Sequence, residues 1–163
     1  MDEELLKKAK AFADANGGSS GEELGSGIHG MVVVLKSEIG LAETALKIHF
    51  SVEPYRRECD VYERLRERGI RKILGFHVPQ MLRSDDAPLA IEMTLVPPPF
   101  VLDFAGAWLD FPPEFPAEVW AERREKWASE FGGDWAQAQA ILAELEELHI
   151  YMLDPFPNNI RFR

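Results

Sequence analysis

The chain has 163 residues, 46% of them hydrophobic and 10% aromatic, which is enough for one domain with a filled core. Against 28 Asp plus Glu stand only 18 Lys plus Arg, and the net charge of -10 excludes a general nucleic-acid or anionic-membrane surface, so any phosphate must be held locally. Cys59 is the only cysteine, His29, His49, His77 and His149 lack metal-ligand spacing, and no apolar run is long enough to span a bilayer; Met-Asp-Glu-Glu with two lysines behind it is not expected to act as a signal peptide, and a cytoplasmic protein is expected.

In chain order, residues 2 to 15 predict a short amphipathic helix with Leu5, Ala9 and Phe12 on one stripe. "NGGSSGEE" then stops it, so residues 1–20 are expected to be an appended helix and a flexible connector. "MVVVLK" and "AETALKIHF" predict an antiparallel hairpin around a Ser37-to-Leu41 turn containing Gly40. Residues 54 to 68 open with a proline and set Tyr55, Val61, Tyr62 and Leu65 at helical intervals. "LGFHVPQML" and "PLAIEMTLV" read as two more strands, and "PPP" at 97 to 99 ends the β-rich half. The remainder reads mainly as helix, including one from about 134 to 148, and holds Trp108, Trp120, Trp127 and Trp135. No internal repeat is present.

Ahead of the valines, "LGSGIHGMVVVL" spaces Gly25, Gly27 and Gly30 as Gly-x-Gly-x-x-Gly, a pattern that by itself favours an ordinary turn. A dinucleotide fingerprint would need a strand before it and a helix after it, and a Walker loop would end in Gly-Lys-Ser/Thr; both are excluded. Three further features accompany the glycines. A strand lysine, Lys47, lies in "TALKIHF". A helix glutamate, Glu58, lies in "RRECDVYERL", and alone would read as a solvated charge. "LDPFPNNI" sets Asp154 and Asn159 five apart, in what alone would be a Pro/Asn-rich loop.

Together and in this order the four features resemble the eukaryotic-like protein kinases, over about residues 24 to 163. Gly25, Gly27, Gly30 and Val32 match the kinase glycine loop, and Thr44-Ala45-Leu46-Lys47 resembles the strand that carries the phosphate-binding lysine. "RRECDVYERL" looks like the αC helix, while Asp154, Pro157, Asn159 and Ile160 fit the catalytic loop. The resemblance implies an α+β fold: a kinase-like N-lobe of antiparallel sheet plus αC-type helix (21–96), then a shortened helical C-lobe (97–163) ending in the catalytic-loop-like segment. It implies ATP and Mg2+ as ligands, Lys47 and Glu58 positioning phosphate, Asp154 orienting an acceptor hydroxyl, and Asn159 holding metal. It also makes Met93 the gatekeeper and Thr94 to Val96, with Leu95, the adenine-contacting hinge.

The departures weigh equally. Met152-Leu153-Asp154 lacks the histidine and arginine that usually precede the aspartate, so regulation by an activation-loop phosphate is not expected. No Asp-Phe-Gly follows Asn159 before Arg163, which points to either a minimal kinase-like protein or a fragment. The main magnesium aspartate is therefore missing unless Asp103, Asp110 or a partner subunit replaces it. "GGSSGEE" also stands where the family has an apolar strand ahead of the loop. The expected function is a pseudokinase-like nucleotide-binding module with weak or no phosphoryl transfer; the alternative is an active minimal phosphotransferase. The aromatic segment from Phe100 to Phe131 is expected to cover the 134–148 helix, with any aromatic surface left over meeting a protein partner or a second copy.

Overall fold

Asp2 starts the first helix by accepting hydrogen bonds from the amides of Glu4 and Leu5, and Glu3 and Glu4 in the first turn suit the positive end of the helix dipole. In the computed structural model, which describes residues 2–37, 43–101 and 103–163, this helix is α1 (Glu3–Ala15). Its stripe of Leu5, Ala9, Phe12 and Ala13 is buried against Met31, Val33, Leu35, Leu46, Ile48 and Ala90. α1 is thus no appendage. The sheet has two apolar faces, and α1 covers the one that the later helix leaves bare.

That sheet is antiparallel and five-stranded, in the order β1 (Gly18–Gly27), β2 (Gly30–Ser37), β3 (Glu43–His49), β7 (Ala90–Thr94), β6 (Met81–Asp85). The "NGGSSGEE" segment expected as a flexible connector supplies most of β1, which pairs with β2 through two register shifts. β1 is polar and largely exposed because an edge strand needs only backbone hydrogen bonds along one side, a requirement that leaves no hydrophobic pattern. The expected hairpin is present, with Lys36 opposite Glu43; its turn, placed at Ser37 to Leu41, lies outside the described residues beyond Ser37.

Side chains alternate across β3. Leu46 and Ile48 face α1, whereas Ala45, Lys47 and His49 face α2 (Val52–Glu67), which buries Tyr55, Glu58, Val61, Tyr62 and Leu65. The expected strand in "LGFHVPQML" divides between two sheets: β5 (Phe76–His77) joins a small sheet with β4 (Lys72–Ile73), while Met81 begins β6 of the main sheet.

The C-terminal part is less helical than expected. Two helices, α3 (Ala117–Phe131) and α4 (Trp135–Glu147), are joined by the short 3-10 turn Gly132–Asp134. Four short strands accompany them: β8 (Phe100–Val101), β9 (Ala107–Leu109), β10 (Ile150–Met152) and β11 (Ile160–Arg161). The aromatic segment does fold over α4: Trp127 and Phe131 are buried with Ala138, Ile141 and Leu145 in one core that also includes the α2 face of the main sheet. Among the described residues no helix is long and apolar enough to cross a membrane.

Phe12→Ala should lower stability by about 3 to 5 kcal/mol, the usual cost of emptying a buried aromatic site. Urea unfolding measures it, and an unchanged midpoint would return α1 to the status of an appendage.

Candidate functional site

The alternation of β3 aims Lys47 and His49 at α2, where helical spacing turns Glu58 inward with Tyr55, Tyr62 and Leu65. The Lys47 ammonium lies 2.7 Å from Glu58 Oε2 and 2.7 Å from Asp103 Oδ1. His49 brings Nε2 to 2.7 Å from the same Glu58 oxygen and directs Nδ1 at the Leu89 carbonyl oxygen, 3.1 Å away. Lys47, His49 and Glu58 are buried, while the Asp103 side chain keeps 28% of its exposure. Glu58 Oε1 is buried without a hydrogen-bond partner among the described residues.

Asp103 follows β8, and its Oδ1 also accepts the Ala105 amide at 2.9 Å. The next residue, Phe104, is fully buried and meets Tyr62 of α2 edge to face at 5.5 Å between centroids. Two strand pairings hold this segment against the 154–159 loop from both sides: β8 with β11 just beyond Asn159, and β9 with β10 just before Asp154. Within the loop, the Asn159 side-chain amide donates to the Asp154 carbonyl oxygen at 2.7 Å. A small cavity results, lined by Asp103, Gly106, Asp154, Asn159 and His29 of the β1–β2 turn. Gly106 leaves room there, because a Cβ would stand 3.2 Å from Asp154 Oδ2, a tight contact, and 3.6 Å from His29 Nε2.

Charge pairing sets the ionisation of the cluster. Burial pulls the Lys47 pKa down, but the Glu58 and Asp103 carboxylates more than offset this and raise it above its ordinary 10.5. Burial likewise opposes ionisation of Asp103, and the Lys47 ammonium overcomes it, holding the carboxyl below its ordinary 3.8. Beside Glu58, the Cys59 thiol is pushed up to about 11, chiefly by burial, so it is not a thiolate nucleophile near neutral pH.

Lys47, Glu58, Asp154 and Asn159, expected from sequence, thus meet around one cluster and one cavity. Gly25 and Gly27, near the end of β1, pair with Val32 and Gly30 of β2, and a Cβ on either would meet no other atom within 4 Å. Gly30 begins β2 so close to β3 that a Cβ would lie 2.1 Å from the Ile48 carbonyl oxygen. Val32 pairs with Lys47 in register. Met93 is buried beneath the Tyr62 hydroxyl, two positions along β7 from the partner of Lys47, and Leu95 and Val96 follow where the chain leaves the strand. Asp110, the other proposed substitute aspartate, instead takes Arg64 at 2.8 Å on the surface, where that hydrogen bond lowers its pKa.

Sequence reasoning gave Asp103 only as one of several substitutes and passed over His29 and His49. Signals existed for two of them. Asp103-Phe104-x-Gly106 follows an apolar strand, and His49 shares the period-two face of Lys47.

No family model matches the chain, and no curated protein matches it. Among solved structures it is similar to a mutant of the PknI kinase domain of Mycobacterium tuberculosis, at 16% identity and a TM-score of 0.36, over 82% of this chain and 48% of that one. The chain therefore spans about half the length of that domain.

Because its pKa is lowered, Asp103 contributes stability above its unfolded value of 3.8, and this is lost as pH falls through the folded value. Asp103→Asn should therefore cost about 2 kcal/mol at neutral pH, the scale of a charged hydrogen bond, and the difference should shrink as pH falls below 3.8 and through the folded value. Urea unfolding of both proteins across this range tests the assignment; a pH-independent difference would refute it.

Proposed function

We propose that the chain is a nucleotide-dependent phosphotransferase of the protein-kinase type. The observation that supports this most is Lys47 bridging Glu58 and Asp103 at 2.7 Å each, beside a cavity that Asp154 and Asn159 line. It favours the active alternative over a pseudokinase-like module, because a carboxylate stands beside the phosphate-positioning lysine, although it comes from before the α4 helix rather than after the catalytic-loop-like segment.

The donor set suits magnesium bound partly through a nucleotide. Asp103 commits Oδ1 to Lys47 and Ala105 and so offers Oδ2; Asn159 commits its amide N–H to Asp154 and so offers Oδ1. Among the described residues no three His, Cys, Asp or Glu side chains gather closely enough to hold a metal, so phosphate oxygens would complete the shell, as magnesium sites commonly require. When bound, magnesium neutralises charge on the phosphate oxygens. Lys47, held by its two carboxylates, positions the inner phosphates, and Asp154 orients the acceptor hydroxyl and accepts its proton. Leu95 and Val96 would meet the adenine edge through the backbone. The ligands of this reading are ATP and Mg2+, and the partner is whatever carries the acceptor hydroxyl.

ATP titration by calorimetry, with and without magnesium, and radiolabelled phosphoryl transfer test the proposal together. The parent should bind ATP more tightly with magnesium and transfer phosphate, while Asp103→Asn should lose the magnesium effect and Asp154→Asn about a hundredfold or more in rate. Binding indifferent to magnesium without transfer would favour the pseudokinase-like module. No binding at millimolar ATP would end both readings.

A further inference from the structure

The β1–β2 turn carries a polar group that the mechanism above leaves unused. Gly27 pairs with Gly30, so Ile28 and His29 alone form the tip. They point in opposite directions: Ile28 is 80% exposed, while His29 turns inward, with Nε2 buried and without a hydrogen-bond partner among the described residues. The turn is anchored in this pose, since the Phe50 amide donates to the His29 carbonyl oxygen at 3.1 Å and Gly30 packs on the β3 backbone. A histidine at an exposed hairpin tip has no core to fill. Hiding its ring nitrogen forfeits hydrogen bonds to water, so a ligand that supplies an acceptor restores them.

The position identifies the acceptor. A Cβ on Gly106 would lie 3.6 Å from His29 Nε2 and 3.2 Å from Asp154 Oδ2, so the imidazole and the carboxylate that orients the acceptor hydroxyl converge on one point. The phosphate nearest that hydroxyl is the one transferred, and the inner phosphates lie toward Lys47. We propose that His29 donates a hydrogen bond from Nε2 to the terminal phosphate of a bound nucleoside triphosphate, and so sets a preference for triphosphate over diphosphate. The inference rests on the phosphotransferase reading and adds a phosphate-binding residue to it. Asp103 and Asn159 line the same cavity as His29, which accords with this placement.

Calorimetric titration of the β,γ-imido analogue of ATP and of ADP, each with magnesium, into the parent, His29→Ala and His29→Gln decides the matter. His29→Ala should lose about tenfold in triphosphate affinity and keep its ADP affinity, and His29→Gln, which retains a side-chain N–H, should recover much of the loss. Melting curves matching the parent establish that the variants fold, as expected for a turn tip. An equal loss for both nucleotides, or none for either, overturns the role of His29 and leaves the phosphotransferase reading standing. A parent that binds neither nucleotide overturns both.

Discussion

The structure turns on one buried cation. An ammonium taken out of water is tolerated only with close counter-charges, and Lys47 has two, Glu58 from the helix across the sheet and Asp103 from the segment after the proline run. Each comes from a different part of the chain, so the ion cluster joins β3, α2 and the β8–β9 segment. His49, sharing Glu58 Oε2 with Lys47, ties the end of β3 to the same carboxylate and to the Leu89 carbonyl. Removing either carboxylate would leave part of a buried charge unanswered, a larger cost than the pair itself contributes.

Around this cluster the short strands have a positioning role out of proportion to their length. β8 and β9 flank Asp103, and their partners β11 and β10 flank the 154–159 loop, so two antiparallel ladders bring segments some fifty residues apart in sequence to the same cavity. Side chains from α2 reinforce the arrangement, with Arg57 stacked over Trp108 at 5.5 Å and Arg64 paired with Asp110. The small residue between the ladders, Gly106, lets the Asp154 carboxylate and the His29 ring approach the same point.

The opposite face of the sheet is held differently. α1 packs there through an apolar stripe, and Arg83 at the sheet edge adds a polar tie: it pairs with Glu92, meets Asn16 at the end of α1, and stacks on Phe12. Covering both faces lets β2 and β3 carry apolar side chains in both directions, and this keeps the anchored β1–β2 turn in register over the site.

The sequence by itself determined what periodicity and local chemistry encode. The stripe of Leu5, Ala9 and Phe12, the inward face of α2 and the helix through Ile141 and Leu145 were legible because a helix that buries one face must repeat its apolar residues at helical spacing. Lys47, Glu58, Asp154 and Asn159 were legible only as a set, through the resemblance of their segments, taken in order, to the protein-kinase pattern; singly, Glu58 reads as a solvated charge and Asp154 and Asn159 as parts of a loop. Tertiary structure alone decided where α1 docks, since an amphipathic stripe does not name its partner. It decided that a polar, glycine-rich run becomes β1, since an edge strand is specified by backbone pairing and leaves no pattern in the side chains. It decided the place of Asp103 as well: motif reasoning searched for a carboxylate after Asn159, whereas long-range strand pairing delivers one from before α4, and the Coulombic demand of a buried lysine takes a carboxylate from wherever in the chain it comes.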